Sequence, residues 1–243
     1  MKKLTIGALV FAGTSAAVAA PQDYNRLDIF GGVTSTTYDS PPVIGSNDRK
    51  FEGFDFSLHL NKTFKEDLIF DLDIRRAHVS TDDDFAVDIT TINTSLGYLV
   101  REDNYDGSLK LGYVSNDSDV IQTSASIFSE GAFAEVNMSY KVGETTYIAG
   151  SHRQLIERKD GQGEGGVTTV RLVGTYGEDE DNQTPYELAI AKKGDLYIGS
   201  FEILPFGNRE DDYNQYGVRL ERTEGDDLNG NAVYFFLRAY PDD

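Results

Sequence analysis

The chain has 243 residues, and its 22 Lys and Arg stand against 41 Asp and Glu, which gives a formal net charge of −19. This charge argues against a nucleic-acid partner, because phosphate contacts require an excess of lysine and arginine. The absence of cysteine excludes disulfides and a cysteine-linked lipid anchor, and 14 Tyr with 14 Phe argue against disorder.

The first residues, MKKLTIGALVFAGTSAAVAAPQ, have the layout of a secretory signal peptide, with two lysines, an apolar run and then small residues. The apolar run is shorter than the ~20 residues that a membrane-spanning helix needs. Two cleavage points fit the small-x-small rule. The cut after Ala19 is favoured, because a cut after Ala20 would place Pro21 first. We therefore expect a signal peptide over residues 1–19 and a single exported domain over residues 20–243.

Apolar and polar residues alternate along most of the remaining chain. In LIFDLDIR, for example, Leu72 and Ile74 fall on one face and Asp73 on the other. A period of two indicates a strand with one apolar and one polar face, and no window has a helical stripe. The sequence predicts an all-β chain of about twelve strands, within a range of ten to twelve. Their ranges are 24–37, 51–63, 68–76, 85–100, 106–115, 131–142, 145–154, 167–177, 184–192, 195–204, 213–223 and 231–240.

The fourth strand changes the parity of its apolar residues. Val87 and Ile89 are odd-numbered, whereas Ile92 and Leu96 are even-numbered. An extra residue in the strand would explain the change, so the sequence predicts a β-bulge near Thr90 and Thr91.

The predicted connections alternate between long and short over the first seven, with long loops at 38–50 and 115–130. Long external loops and short periplasmic turns are typical of transmembrane barrels, and an even strand number places both termini on the periplasmic side. The later connections KKGD and PFGNREDD depart from the alternation.

Alternation alone does not separate a membrane barrel from a soluble barrel or sandwich, because both have one apolar face. Three features favour the membrane barrel: strands of about ten residues, polar faces of both charge signs, and tyrosines near strand ends. The tyrosines are Tyr98, Tyr113, Tyr140, Tyr147, Tyr176, Tyr186 and Tyr216. The residues expected to line the lumen are Asp55, His59, Asp71, Asp73, Arg75, Lys110, Glu135, Lys141, Arg171, Glu187, Arg219, Glu221 and Arg238.

The signal peptide, the alternating strands, the loop asymmetry and the aromatic final segment NAVYFFLRAYPDD resemble bacterial outer-membrane β-barrel proteins of the small porin type. The resemblance implies a single antiparallel barrel in the outer membrane, inserted by the assembly machinery and in contact with lipid and lipopolysaccharide. The last strand is expected to close against the first near Leu27, Ile29 and Val33. Its lipid face is expected to be Val233, Phe235, Leu237 and Ala239, with Arg238 in the lumen or at the rim.

No cofactor is expected, and His59, His78 and His152 have no metal-site spacing. Ser57 with His59, and Ser151 with His152, resemble the Ser–His pairs of some barrel lipid hydrolases. Because no third group orients either histidine, we expect no enzyme. DGQGEGG at residues 160–166 is interpreted as a flexible loop tip. The run at 82–84 is an external candidate for sharing divalent cations with lipopolysaccharide phosphates.

Two functions use the same scaffold. The first is a small passive pore, in which the acidic excess predicts a preference for cations or small solutes. The second is a non-conducting barrel that acts through its external loops in adhesion, surface shielding or envelope integrity. A soluble periplasmic β-barrel is a further alternative.

Overall fold

In a computed structural model the chain forms one closed antiparallel β-barrel of twelve strands, which confirms the predicted all-β barrel. The structure describes residues 25–38, 49–64, 68–82, 85–121, 125–159, 166–177, 184–206, 214–226 and 228–240. The predicted signal peptide lies outside these residues, as does most of the 160–166 segment. Within the described ranges, no helix has the length and hydropathy needed to cross a membrane.

The strands follow one another around the barrel in chain order. They are β1 (Arg26–Tyr38), β2 (Arg49–Phe64), β3 (Leu68–Ser80), β4 (Ala86–Arg101), β5 (Tyr105–Val120), β6 (Ala125–Lys141), β7 (Tyr147–Lys159), β8 (Gly166–Tyr176), β9 (Thr184–Lys193), β10 (Leu196–Phe206), β11 (Asn214–Glu224) and β12 (Leu228–Ala239). β12 pairs with β1, so the hydrogen-bonded ladder runs around the whole barrel and leaves no open sheet edge among the described strands.

The last strand closes against the first near Leu27, Ile29 and Val33, as the sequence predicts, and the structure gives the register of the pair. Leu27 lies opposite Ala239, Ile29 opposite Leu237, and Val33 opposite Val233. A shift of one residue would turn every side chain of a strand to the other face. The pairing therefore fixes which side of β12 points outwards.

The outer face of the barrel is an apolar belt. Large apolar side chains that are exposed on it include Phe54, Leu96, Leu109, Leu111, Val136, Met138, Val170, Ile190, Leu220 and Phe235. Monomeric soluble proteins rarely expose contiguous apolar surface on this scale. Phe235 is 69% exposed whereas its neighbours Tyr234 and Phe236 are 5% and 4% exposed, so the two faces of β12 differ as the alternation indicates.

The predicted bulge in β4 is wrong. Its register with β3 is continuous, with Ile89 opposite Ala77 and Ile92 opposite Ile74. The parity changes because the apolar residues lie on both faces. Val87 and Ile89 point inwards and are buried in a cluster with Phe51, Ala77 and Val79, whereas Ile92 points outwards.

The long external loop predicted at 115–130 is also wrong. β5 continues to Val120, β6 begins at Ala125, and the two strands stay paired from Tyr105 opposite Tyr140 to Val120 opposite Ala125. Near the turn between β5 and β6, the chain carries Ser, Asn and Asp residues without apolar alternation. This pattern led to the prediction of a loop. The backbone hydrogen bonds continue because the part of a strand that extends beyond the apolar belt does not need an apolar face.

Candidate functional site in the barrel interior

The register places all thirteen residues predicted to line the lumen at inward-facing positions. One row illustrates this, in which Arg238 lies opposite Asp28, Asp28 opposite His59, and His59 opposite Asp73. Lys141 and Glu187 lie near the end of the barrel at which β1 begins and β12 ends. Contact of these thirteen residues with a solute stays a prediction.

The first contact cluster joins the strands on either side of β1. Arg75 on β3 donates from Nε to both oxygens of Asp55 on β2, at 3.0 and 2.8 Å. The Tyr234 hydroxyl on β12 donates to Asp55 at 3.0 Å and accepts from Arg75 at 3.2 Å. All three side chains are buried, so a carboxylate, a guanidinium and a phenol satisfy one another inside the barrel.

Gly32 makes this cluster possible. It lies on β1 between Tyr234 and Asp55, opposite both. A Cβ at this position would lie 2.5 Å from Cδ1 of Tyr234 and would also collide with the backbone of Val233. Because Gly32 has no side chain, the Tyr234 ring can lie across β1. Its hydroxyl then reaches Asp55 on β2.

The second contact cluster also crosses the closing strands. Arg238 on β12 donates to Asp28 on β1 at 2.9 and 3.2 Å, and to Glu202 on β10 at 2.5 Å. Arg26 lies 2.9 Å from Asp28. We call the seven residues of the two contact clusters the seam cluster: Arg26, Asp28, Asp55, Arg75, Glu202, Tyr234 and Arg238.

Aromatic rings fill the space beside the seam cluster. Phe30 stacks on Phe236 with the ring centroids 4.8 Å apart and meets the Tyr234 ring edge-on at 6.4 Å. The predicted lipid face of β12 left Tyr234 and Phe236 on the face of Arg238, but the prediction named neither ring as a lumen residue. Phe30 was not predicted, although it has the same parity as Asp28.

A central cavity lies inside the barrel against β2 to β7. Its lining residues are His59, Asp71, Asp73, Asn93, Thr94, Ser95, Lys110, Phe133, Glu135 and Arg153. Two ion pairs form part of the wall: Lys110 lies 2.6 Å from Asp71, and Arg153 lies 2.6 Å from Glu135. The Arg153 guanidinium also lies over the Phe133 ring, 4.2 Å from its centroid.

His59 differs from the other lining residues because it is 3% exposed and neither ring nitrogen has a hydrogen-bond partner among the described residues. It therefore forms no pair with Ser57. His152 points outwards and contacts the Thr168 hydroxyl at 2.9 Å, while Ser151 points inwards. In the part of the chain that the structure describes, no three His, Asp or Glu side chains could hold a metal ion together.

The inner face carries acidic and basic side chains in nearly equal numbers. Among the described side chains the acidic ones are Asp28, Asp55, Asp71, Asp73, Asp106, Glu135, Glu187, Glu202 and Glu221, and the basic ones are Arg26, Arg75, Arg101, Lys110, Lys141, Arg153, Arg171, Lys193, Arg219 and Arg238. The acidic excess of the chain therefore does not lie on the described inner wall.

No protein family model matches the chain, and no curated protein matches it. Solved outer-membrane barrels have a similar fold. An outer membrane channel from Pseudomonas putida F1 is 13% identical, with a TM-score of 0.59 over 91% of this chain and 99% of that one. The KdgM porin in complex with disordered oligogalacturonate is 11% identical, with a TM-score of 0.53 over 89% and 99%.

The translocator domain of the autotransporter NalP from Neisseria meningitidis is 12% identical, with a TM-score of 0.51 over 88% of this chain and 87% of that one. At these identities the likeness concerns the fold alone. The chain has the fold of bacterial outer-membrane β-barrels, a fold shared by porins, channels and autotransporter domains.

Proposed function

We propose that the protein is an outer-membrane channel that passes small polar solutes through a narrow barrel interior. The observation that carries this proposal is the division of the two faces, with apolar side chains exposed outside and charged side chains enclosed inside. A soluble barrel would have the opposite arrangement, because its apolar face would be buried. A membrane barrel turns its apolar face to lipid and its polar face to the lumen.

The edges of the apolar belt support insertion in a bilayer. Tyr98, Tyr140, Tyr176 and Tyr216 point outwards, are each more than half exposed, and lie at the end of the barrel at which β1 begins and β12 ends. Tyrosine favours the headgroup level of a membrane. At the other end, the outward positions become polar, as at Glu52, His78, Asp117, Lys192 and Arg222. Tyr147 does not belong to the belt, because it lies opposite Lys141 on the inner face.

The interior supports a low conductance. The seam cluster and the rings of Phe30 and Phe236 occupy one side, and their side chains are almost completely buried. The central cavity lies on the other side. A channel of this kind passes small solutes, since the protein narrows its own lumen with side chains.

Charge selectivity follows from the balanced wall rather than from the net charge of −19. A wall with near-equal numbers of acidic and basic groups gives only weak discrimination between cations and anions. The preference for cations that the composition suggests is therefore restricted, in this proposal, to local sites on the wall.

Recordings in planar bilayers test the channel. We expect small, stable conductance steps, and a higher conductance in Tyr234→Ala, because this change removes a ring from the interior. Phe235→Ala is the matched control, since Phe235 is the adjacent aromatic residue on the outer face. Absence of steps in the wild type and in Tyr234→Ala would contradict the channel function.

Membrane insertion has a separate test. The membrane fraction should contain a form that migrates faster on a gel until it is boiled, as expected for a barrel that resists detergent. Recovery of the protein only in the soluble periplasmic fraction would refute the outer-membrane location.

The second candidate is a non-conducting barrel that acts through its external loops. The burial of the seam cluster favours it, because paired charges and rings occupy much of the interior. The same recordings separate the two candidates. A silent wild type with a conducting Tyr234→Ala would support the non-conducting barrel.

A further inference from the structure

We propose that the outer face of β9 to β11 binds a phosphate group of a lipopolysaccharide molecule, at the edge of the apolar belt away from the start of β1. The site rests on the outer-membrane location proposed above, which supplies the lipid, and it holds whether or not the barrel conducts. Three features of the surface carry it: two cations without a carboxylate partner, an open hollow between them, and apolar side chains below the hollow.

The register places the two cations on either side of β10. Lys192 on β9 lies opposite Tyr197 on β10, and Gly199, two residues further along the same face of β10, lies opposite Arg222 on β11. Both cations are exposed. Neighbouring strands are about 4.8 Å apart, so long side chains from β9 and β11 can converge on one group above β10. We call Lys192, Tyr197, Gly199 and Arg222 the β9–β11 patch.

Neither cation of the patch is neutralised by a carboxylate. The Lys192 ammonium lies over the Tyr197 ring, 5.1 Å from its centroid. Arg222 donates to the Asn231 side-chain oxygen at 3.3 Å. Glu224 is on the same face of β11, but among the described residues it forms no ion pair with either cation. Both positive charges are therefore available to an anionic group.

The outer rim at this end of the barrel differs in charge between its two sides. On β9 to β11 the cations Lys192 and Arg222 outnumber the single outward carboxylate of the strands, Glu224. On β2 to β6 the outward positions are mostly acidic, since Glu52, Asp88, Asp117, Asp119 and Glu130 are accompanied by Lys50, Arg76 and His78. An anionic lipid therefore favours the side of the patch.

Gly199 leaves an open hollow between the two cations. A Cβ at this position would have nothing within 4 Å, whereas the space over Gly32 is filled by the Tyr234 ring. A glycine inside a strand weakens the strand and often marks a point that a ligand approaches closely. Because no described side chain enters the space over Gly199, a group from the membrane can occupy it.

The surface below the hollow, towards the middle of the belt, is apolar. Ile190 lies opposite Gly199, and Leu188 opposite Phe201 forms the next outward pair along β9 and β10. The side chains of Ile190 and Leu188 are 63% and 46% exposed. A lipid with a phosphate at the headgroup level and acyl chains below it matches both parts of this surface, whereas a free phosphate ion would use only the cations.

The two cations have complementary roles towards a phosphate. The Arg222 guanidinium can donate two parallel N–H bonds to a pair of phosphate oxygens, and the Lys192 ammonium adds a compact positive charge. Tyr197 lies beside them at a level that tyrosine favours in membranes. In a barrel with an even number of strands, the end opposite the start of β1 faces outside, and lipopolysaccharide is the phosphate-bearing lipid of that leaflet.

Native mass spectrometry of the detergent-refolded full chain tests the site with three probes. They are lipid A with its phosphates, the same lipid A after enzymatic removal of the phosphates, and inorganic phosphate. We expect phosphorylated lipid A to bind at least about tenfold more tightly than either of the others, which is the scale of one charge-assisted contact. Its binding should also weaken as the salt concentration rises, because the patch is exposed.

The double variant Lys192→Gln, Arg222→Gln should weaken the binding of phosphorylated lipid A by about tenfold or more. Its matched control is Lys50→Gln, Arg76→Gln, which removes two outward cations from the acidic side of the same rim. The control changes the net charge of the chain by the same amount and should leave binding unchanged.

A second variant tests the hollow without changing any charge. Gly199→Leu fills the space between the cations and should weaken binding by about fivefold or more. Gly31→Leu is its control, because Gly31 is an outward position of β1 at which a Cβ also has nothing within 4 Å. Migration before and after boiling checks that each variant is folded.

Equal affinity for lipid A with and without its phosphates, in a protein recovered from the membrane fraction, would overturn the phosphate site and leave the outer-membrane location intact. Equal losses in the two double variants would overturn it as well, because the net charge rather than the patch would then account for binding. Inorganic phosphate that binds as tightly as phosphorylated lipid A would also overturn it. Recovery of the protein only in the soluble fraction would instead refute the location.

Discussion

The seam cluster and the central cavity are built from the same kinds of side chain, but they differ in how completely those side chains contact one another. At the seam, Asp55 accepts from Arg75 and Tyr234, and Asp28 accepts from Arg238. At the cavity, His59 is equally buried and makes no hydrogen bond to any described residue. A satisfied polar cluster stabilises one arrangement of the strands, whereas a buried group without a partner does not.

The comparison also explains where the interior is closed. At the seam, Gly32 lets the Tyr234 ring lie across β1, and Phe30 and Phe236 pack beside it. At the cavity, the ion pairs of Lys110 and Arg153 lie along the wall and leave a space between the strands. We therefore expect substitutions at the seam to lower stability more than the substitution of His59 at the cavity.

The largest effect is expected from Arg75→Ala. The change leaves Asp55 buried without its guanidinium, and breaking a buried ion pair costs about 3–5 kcal/mol. The free energy of unfolding can be measured with urea and far-UV circular dichroism, which suits a chain without Trp. Lys50→Ala is the control, because Lys50 and Glu52 form an ion pair on the exposed outer face, and we expect no measurable change.

The double variant Asp55→Ala, Arg75→Ala sharpens this test, since it removes the charge that the single change leaves alone. Its stability should recover part of the loss. If the double variant loses as much as the sum of the two single variants, the two residues are not coupled at the seam.

A smaller effect is expected from Gly32→Ala. The new Cβ would collide with the Tyr234 ring and the Val233 carbonyl, and overpacking of this kind costs about 1–3 kcal/mol. Gly31→Ala is the control at the adjacent position, because nothing lies within 4 Å of a Cβ there. Equal unfolding free energies in the two variants would show that the tyrosine does not need the glycine.

The smallest effect, and one of opposite sign, is expected from His59→Leu. Removing a buried group whose nitrogens lack partners leaves stability unchanged or raises it by about 1 kcal/mol. The same urea titration measures it. A loss comparable to that of Arg75→Ala would mean that His59 is a structural residue, and the contrast between seam and cavity would fail.

Much of the fold was predictable from alternation, because the side-chain period of a strand is two wherever it lies. The strand number, the closure of the last strand against the first near Leu27, Ile29 and Val33, and the outward face of Phe235 followed from it. The pattern failed where a face was not uniform. Val87 and Ile89 are apolar and point inwards, and the hairpin of β5 and β6 continues through polar residues.

The candidate site was predictable only as a list of inward positions. Which of these residues meet depends on strands far apart in the chain, since Tyr234 and Asp55 are separated by 179 residues. Glu202 and Phe133 were not predicted, because nothing in the sequence around them identifies them as residues of the site. Arg153 was missed because β7 has only weak alternation around it.

The alternation of residues along the chain was enough to predict the fold class, an all-β chain with polar residues on one face of each strand and apolar residues on the other. That information is local, because it depends only on residues two apart. Where the interior is filled and where it is open depends instead on contacts between strands that are far apart in the chain. Closing twelve strands into a barrel brings Asp55 to Arg75 and Tyr234 but leaves His59 beside a cavity, and this follows from barrel register and from the small volume of Gly32 rather than from any local pattern.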